Sequence, residues 1–203
     1  MIDTDAPLNE EDLAADPVVE FERWFELAGR VGEPQPNAMA LATVTAEGEP
    51  AVRMVLLHQV DARGFVFFTN YESDKGRDLA GRPHAALAFY WPRLHRQVRV
   101  RGPVAPTSLE ESLAYWRQRP YGHRISASAS AQSRVLTDRA TLEAEVARLE
   151  ALHPVEPPLP GFWGGYRVAP TAIEFWQGRI NRLHDRLRYT RAGACWRLER
   201  LAP

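Results

Sequence analysis

Between residues 38 and 70 the sequence sets three apolar, β-branched and aromatic runs in close succession, 38–45, 51–60 and 64–70. Each gap is a turn: Glu47-Gly48-Glu49-Pro50, then Asp61-Ala62-Arg63-Gly64. Runs of strand length joined so tightly leave no room for a crossover helix, so they must fold back on one another as an antiparallel meander. Further strand patterns lie near 85–91, 97–105, 166–168, 172–177, 183–190 and 195–201. Helical patterns break in between them. Pro17 behind Asp16 as N-cap opens one, with Val18, Phe21, Trp24, Phe25 and Leu27 as its apolar stripe. Ser73 caps a short helix over 73–80, and Ser108 with Glu111 forms a capping box for another through Arg117. Asp138 caps a helix to Leu152, with Leu142, Val146, Leu149 and Leu152 on one face. The small-residue stretch 121–133 reads as a loop or short irregular helix, and 154–160 as a proline-rich linker. Strands split by helices give an α+β fold, a closed or half-closed antiparallel, Greek-key-like β-barrel with helical insertions.

Residues 1–16 carry six acids and few apolar positions, which predicts a flexible acidic N-terminal arm ahead of a single domain over 17–203. Residues through Glu33 hold ten acids against two arginines, and the remainder sixteen acids against twenty-three bases, so an acidic leader precedes a basic body. No Lys/Arg block accompanies it, so small anions are favoured over nucleic acid as partners. Lys75 is the only lysine; every other cation is an arginine. Apolar runs such as 54–57 and 65–68 fall far short of the roughly 20 residues that span a bilayer. With no secretory pattern at the start, a cytoplasmic location is the expectation.

Several chemistries drop out on inspection. The glycine-rich nucleotide loops, the serine-hydrolase elbow and the zinc-protease helix signature are all missing. The histidines at 58, 84, 95, 123, 153 and 184 never fall three or four apart, so no metal site is expected. The lone cysteine, Cys195, forbids an internal disulfide and is expected to be a packed, inert thiol.

What remains is a set of cations and amides beside aromatic residues. Strand alternation puts Arg53, Val55 and Leu57 on one face. Lys75 lies in the first turn of a helix after Thr69 and Ser73, where amides, a hydroxyl and a cation meet as a phosphate monoester requires. Gln97 and Gln132 offer amides that both donate and accept, as the polar edge of a flat heterocycle needs. On a strand, Arg182, His184 and Arg186 share one face, a cationic row that calls for an anion or an electron-rich ring.

Matching stretches run in order along the chain: Arg53-Met54-Val55-Leu56-Leu57, Phe67-Phe68-Thr69-Asn70-Tyr71-Glu72-Ser73, Arg96-Gln97-Val98, Tyr115 with Arg119-Pro120, and Gln132-Ser133. They continue with Phe162-Trp163-Gly164-Gly165-Tyr166, Glu174-Phe175-Trp176-Gln177-Gly178, Arg182-Leu183-His184-Asp185-Arg186 and Arg200-Leu201-Ala202-Pro203. By these the sequence resembles the pyridoxamine 5′-phosphate (pyridoxine 5′-phosphate) oxidase family. The resemblance implies a homodimer of FMN-binding split β-barrels with flavin at the subunit interface. It implies oxidation of pyridoxamine or pyridoxine 5′-phosphate to pyridoxal 5′-phosphate, with dioxygen as acceptor and hydrogen peroxide released. Arg53, Lys75 and Ser133 would hold the FMN phosphate, with Thr69 and Gln132 nearby. Gln97, Trp176 and Arg186 would surround the isoalloxazine, and Met54, Val55, Leu56 and Phe68 would complete the cofactor contacts. His58, Tyr115, Arg119 and His123 match substrate-phosphate positions, while Arg182 and His184 match the catalytic pair flanking the substrate ring.

Four places depart from the family pattern. His58 stands where lysine is usual, His123 where serine is usual, Asp74-Lys75 replaces an Arg-Lys pair, and Ser126-Ala127-Ser128 replaces Gly-Ala-Trp. Imidazoles beside a phosphate become imidazolium, which ties substrate affinity to pH. Asp74 next to a phosphate is expected to face solvent. Two other outcomes stay open: a same-fold flavin oxidase acting on a different substrate, as in phenazine pathways, and a non-catalytic FMN or pyridoxal-phosphate binding module.

Overall fold

A computed structural model describes residues 7–203. Among them ten strands join in one curled antiparallel sheet, with five α-helices outside it. The strands are β1 (Ala38–Val44), β2 (Pro50–Leu56), β3 (Gln59–Asp61), β4 (Gly64–Asn70), β5 (His84–Trp91), β6 (Arg96–Pro106), β7 (Trp163–Val168), β8 (Ala172–Gln177), β9 (Asp185–Ala192) and β10 (Cys195–Arg200). The helices are α1 (Pro17–Arg30), α2 (Asp74–Gly81), α3 (Leu109–Gln118), α4 (Tyr121–Ala129) and α5 (Arg139–Leu152). The main path runs β10-β9-β8-β6-β5-β1-β2, and β3, β4 and β7 branch from it where β7 pairs with the far end of β6. Eleven-residue β6 thus belongs to both lobes, which produces the expected split barrel.

The core follows from alternation. Met39, Leu41 and Thr43 of β1 point inward, as do Leu87, Phe89 and Trp91 of β5. Helix α1 closes the barrel: Asp16 accepts from the Val18 N–H at 2.8 Å, Pro17 sits at N1, and the stripe Phe21, Trp24 and Ala28 is buried. The Phe21 ring packs 4.8 Å from Phe65 and 4.9 Å from Phe89, and Trp24 lies 5.0 Å from Phe175. The capping box of α3 forms in both directions between Ser108 and Glu111.

Five expectations change. Residues 1–6 of the expected flexible arm lie outside the described residues, but residues 7–16 rest on the body, with Leu8 buried. The run 51–60 is two strands, because the chain turns at Leu57 and His58, whose N–H groups bond to Asn37 and Val66. On α5, Leu149 is buried while Leu152 is exposed at the last turn. Cys195 is exposed: it opens edge strand β10 beside the Gly193 turn, and among the described residues only β9 flanks it. Finally, Arg182, His184 and Arg186 do not alternate along one strand. A 3₁₀ turn spans Ile180–Arg182, Asn181 and Arg182 take left-handed φ of 56° and 62°, and β9 starts only at Asp185.

Candidate functional site

The turn from β4 into α2 builds a cationic cradle. Ser73 caps α2 by accepting from the Gly76 N–H, and Lys75 folds back beneath the turn. Its Nζ donates to Gln132 Oε1 at 3.0 Å, Ser73 Oγ at 3.1 Å and Thr69 Oγ1 at 3.2 Å. Burial, and then the nearby Arg53 guanidinium, hold the Lys75 ammonium below its usual pKa. The 130–133 loop is stitched to this turn: Asn70 Nδ2 donates to the Ser130 carbonyl, and the Asp74 N–H donates to Ser133 Oγ. Gly76 is required here, since a Cβ would lie 2.0 Å from the Tyr71 carbonyl oxygen. The Asp74 carboxylate turns outward and pairs with Arg77, as the like-charge argument required. Arg53 is anchored behind the cradle, donating to Thr43 Oγ1 at 2.5 Å and pairing with buried Asp78 at 3.4 Å.

From the cradle a cavity of about 800 Å3 runs along Met54, Val55 and Leu56 of β2 and Phe68 of β4 to a second polar end. That end holds His58, Tyr115, Arg119 and His123. The His58 ring lies 3.9 Å from Tyr115 and edge-on to Phe68 at 5.0 Å, and cover by these groups keeps its pKa below the ordinary value. The Arg119 guanidinium stacks 4.6 Å above Trp163, and its buried Nη1 has no hydrogen-bond partner among the described residues. A buried guanidinium N–H without an acceptor is costly, and an anionic ligand would supply one.

A second group forms elsewhere in the same chain. Gln97 of β6, Trp176 of β8 and Arg186 of β9 are register partners in one row across three strands. Arg186 Nε donates to Glu174 Oε1 at 2.9 Å, and His184 lies 4.6 Å from the Trp176 ring. The Arg179 N–H donates to His184 Nδ1 at 3.1 Å, and Arg182 is exposed on its turn. Of the sequence-derived candidates, the cavity wall takes Met54, Val55, Leu56, His58, Phe68, Thr69, Lys75, Tyr115, Arg119, His123 and Gln132. Arg53 and Ser133 stand just behind it, while Gln97, Trp176, Arg182, His184 and Arg186 lie apart. Residue-type reasoning missed Asn37, Asn70, Ser126, Ser130, Leu142, Val146 and Trp163, which also line the cavity. Trp163 had a signal, as an aromatic between glycine-rich flanks, and Ser126 stood in a stretch that departs from the family pattern; Asn37 and Ser130 had none.

Among the described residues no cluster of three or more His, Cys, Asp or Glu could hold a metal ion, and no helix is long and apolar enough to cross a membrane.

Comparison with known proteins places this geometry. The sequence pattern of the family described as "Pyridoxamine 5'-phosphate oxidase" matches residues 28–153, and that of the "Pyridoxine 5'-phosphate oxidase C-terminal dimerisation region" matches residues 163–203. The chain is 56% identical over 201 residues to a pyridoxine/pyridoxamine 5'-phosphate oxidase of Burkholderia vietnamiensis, covering 98% of this chain and 94% of that protein. It is 55% identical over 193 residues to the protein of the same name from Paraburkholderia phymatum, covering 95% and 91%. Among solved structures, PhzG from Burkholderia lata in complex with tetrahydrophenazine-1-carboxylic acid superposes with a TM-score of 0.92 at 35% identity, covering 98% of this chain and all 100% of that one. A pyridoxamine 5'-phosphate oxidase-related, FMN-binding protein of Nostoc punctiforme shares the fold, with a TM-score of 0.74 at 17% identity over 94% of this chain and 100% of that one. Extended identity over nearly the whole length, on a split barrel whose cradle and cavity carry the shared motifs, makes this chain a member of the pyridoxamine 5′-phosphate oxidase family.

Proposed function

We propose that the protein is an FMN-dependent oxidase that converts pyridoxamine 5′-phosphate or pyridoxine 5′-phosphate to pyridoxal 5′-phosphate. The observation that carries this reading is the cavity with cationic groups at both ends, one for the phosphate of each reactant. Its volume of about 800 Å3 lies within the ~300–1,000 Å3 range of small-molecule sites. The residues fit FMN: the buried Lys75 ammonium with Thr69, Ser73, Gln132 and Ser133 matches a phosphate monoester, and the β2 strip offers apolar cover to a flat ring. When bound, FMN would supply a two-electron acceptor that takes hydride from the substrate and is reoxidised by dioxygen to give hydrogen peroxide. Arg119, His58 and His123 would bind the substrate phosphate, and Tyr115 would donate to it. Arg182 would stack on the pyridine ring, and His184, with Nδ1 occupied, would present Nε2–H to the reacting substituent. For the amine, water completes the reaction by releasing ammonia.

The row Gln97, Trp176 and Arg186, together with Arg182 and His184, stands apart from the cavity within one chain, so we assign all five to the site of a second copy, in a homodimer with flavin at the interface. Two facts support this: the match to a dimerisation region over 163–203, and an exposed apolar strip of Val52 (71% exposed), Met54 (64%) and Leu56 (48%). Absorption of the purified protein near the flavin bands, peroxide release with either vitamer, and anaerobic bleaching by pyridoxamine 5′-phosphate test the reading. Flavin-loaded protein that binds the vitamer without bleaching is a carrier instead. A second oxidase reading, a phenazine-type substrate, is favoured by the likeness to PhzG and by the aromatic wall of Tyr115 and Phe68 around a weakly basic His58. Turnover of a reduced phenazine carboxylate with none of either vitamer would establish it.

A further inference from the structure

Asp185 opens β9 between His184 and Arg186, and its carboxylate is held from three directions. Arg200 Nη1 donates to Oδ1 at 2.7 Å, the Leu8 N–H donates to Oδ2 at 3.2 Å, and Arg179 Nε stands 3.5 Å from Oδ2. Arg200 is tied in turn to the N-terminal segment. Its Nε and Nη2 engage both oxygens of Glu10 at 2.9 and 2.7 Å, and Nη2 also donates to the Leu8 carbonyl at 2.8 Å. The segment cannot drift, because Leu8 is buried and the Tyr189 hydroxyl donates to the Ala14 carbonyl at 2.6 Å.

The stretch fastened this way has little to hold itself. Asn181 and Arg182 both take left-handed backbone, which L residues disfavour, and the flanking Ile180 and Leu183 are 72% and 69% exposed. Its ends are fixed through Asp185 on one side and Arg179 on the other, and Arg179 also fills Nδ1 of His184. Neutral His184 then carries its proton on Nε2.

We infer that Asp185 and Arg200 are positioning residues: with the strap over residues 8–10 they hold the turn bearing Arg182 and His184 and set the His184 tautomer. The kinetic consequence rests on the oxidase reading above; the mechanical one does not. The test uses full-length, flavin-loaded protein and the variants Arg200→Ala, Asp185→Asn and Arg200→Lys. Amide exchange by mass spectrometry, imidazole 15N shifts of His184, FMN affinity, and kcat and KM for pyridoxamine 5′-phosphate are the readouts. In Arg200→Ala and Asp185→Asn, exchange over residues 178–186 should rise about tenfold or more while β4 and α2 keep their protection. The His184 shifts should move from a single Nε2–H form to a mixture, and kcat should fall about tenfold with FMN affinity changed less than about twofold. Arg200→Lys should recover part of both effects. Unchanged exchange and shifts overturn the inference, as do faster exchange across the whole chain or local loosening with unaltered kcat. If the wild type oxidises neither vitamer, the oxidase reading fails on its own, and the exchange and nitrogen shifts still decide whether the strap holds the turn.

Discussion

Replacing Lys75 with methionine should separate ligand binding from folding. The ammonium is buried and its pKa is lowered, so the free protein holds a cation in an unfavourable place. Its three acceptors have other partners: Thr69 Oγ1 also donates to Gln132 Oε1 at 3.2 Å, and Ser73 Oγ donates to the Asn70 carbonyl at 2.7 Å. Exchanging a buried charge for an apolar chain of similar volume is often neutral or better, so the unliganded variant should stay within about 1 kcal/mol of the wild type. Phosphate binding should suffer far more, because a charge-assisted hydrogen bond contributes about 2 kcal/mol, or roughly 30-fold in FMN affinity. At FMN about a hundredfold above the wild-type Kd, ligand stabilises the wild type by about 2.7 kcal/mol. In a domain of this size that raises Tm by roughly 5–11 °C. For the variant the same FMN concentration is about threefold over Kd and contributes about 0.8 kcal/mol, a rise of roughly 2–3 °C. Thermal melts with and without FMN measure all four values. An equal FMN-induced rise in both proteins refutes the cradle, and a loss of about 3 kcal/mol or more in the free variant makes Lys75 a structural residue.

Phe21→Ala removes a ring with no solvent exposure from between Phe65 and Phe89 and should cost about 3–5 kcal/mol in urea unfolding with an unchanged m-value; a loss under about 1 kcal/mol would mean α1 does not close the core. His58 has a lowered pKa in the folded state, so the unfolded chain binds more protons just below the ordinary histidine value. Stability should therefore be complete above about pH 6.5 and decline as pH falls through the folded pKa, and His58→Gln should flatten that slope in melts from pH 5 to 8. Val52→Glu puts a charge on the exposed β2 strip and should shift sedimentation toward monomer with loss of bound FMN, whereas a persistent flavin-loaded dimer would place the interface elsewhere.

Local rules made most of this fold legible. Caps at Asp16, Ser73, Ser108 and Asp138 formed where side chain and spacing required, since an N-cap bond involves only neighbouring residues. The cradle was readable for the same reason: Thr69, Ser73 and Lys75 lie within one turn of chain. What failed depended on partners far away or on backbone that composition does not announce. Two successive left-handed residues, neither of them glycine, delayed β9 and broke the supposed cationic row at Arg182. Cys195 looked like a core residue in its strand pattern, but β10 is an edge with no strand beyond it among the described residues, and pairing order is not written in a local window. The docking of residues 7–16 was hidden because it depends on Arg200, which lies 190 positions beyond Glu10.

The double membership of β6 carries an evolutionary consequence. Val98 and Val100 fill the barrel while Gln97 and Arg99, between and beside them, face the other way. Sliding that strand by a single position would empty the interior and turn the polar row inside out in one event. Mutations that would tune the proposed ligand recognition here and mutations that keep the protein folded are thus drawn from alternate letters of one short word, and neither set can shift its frame without the other.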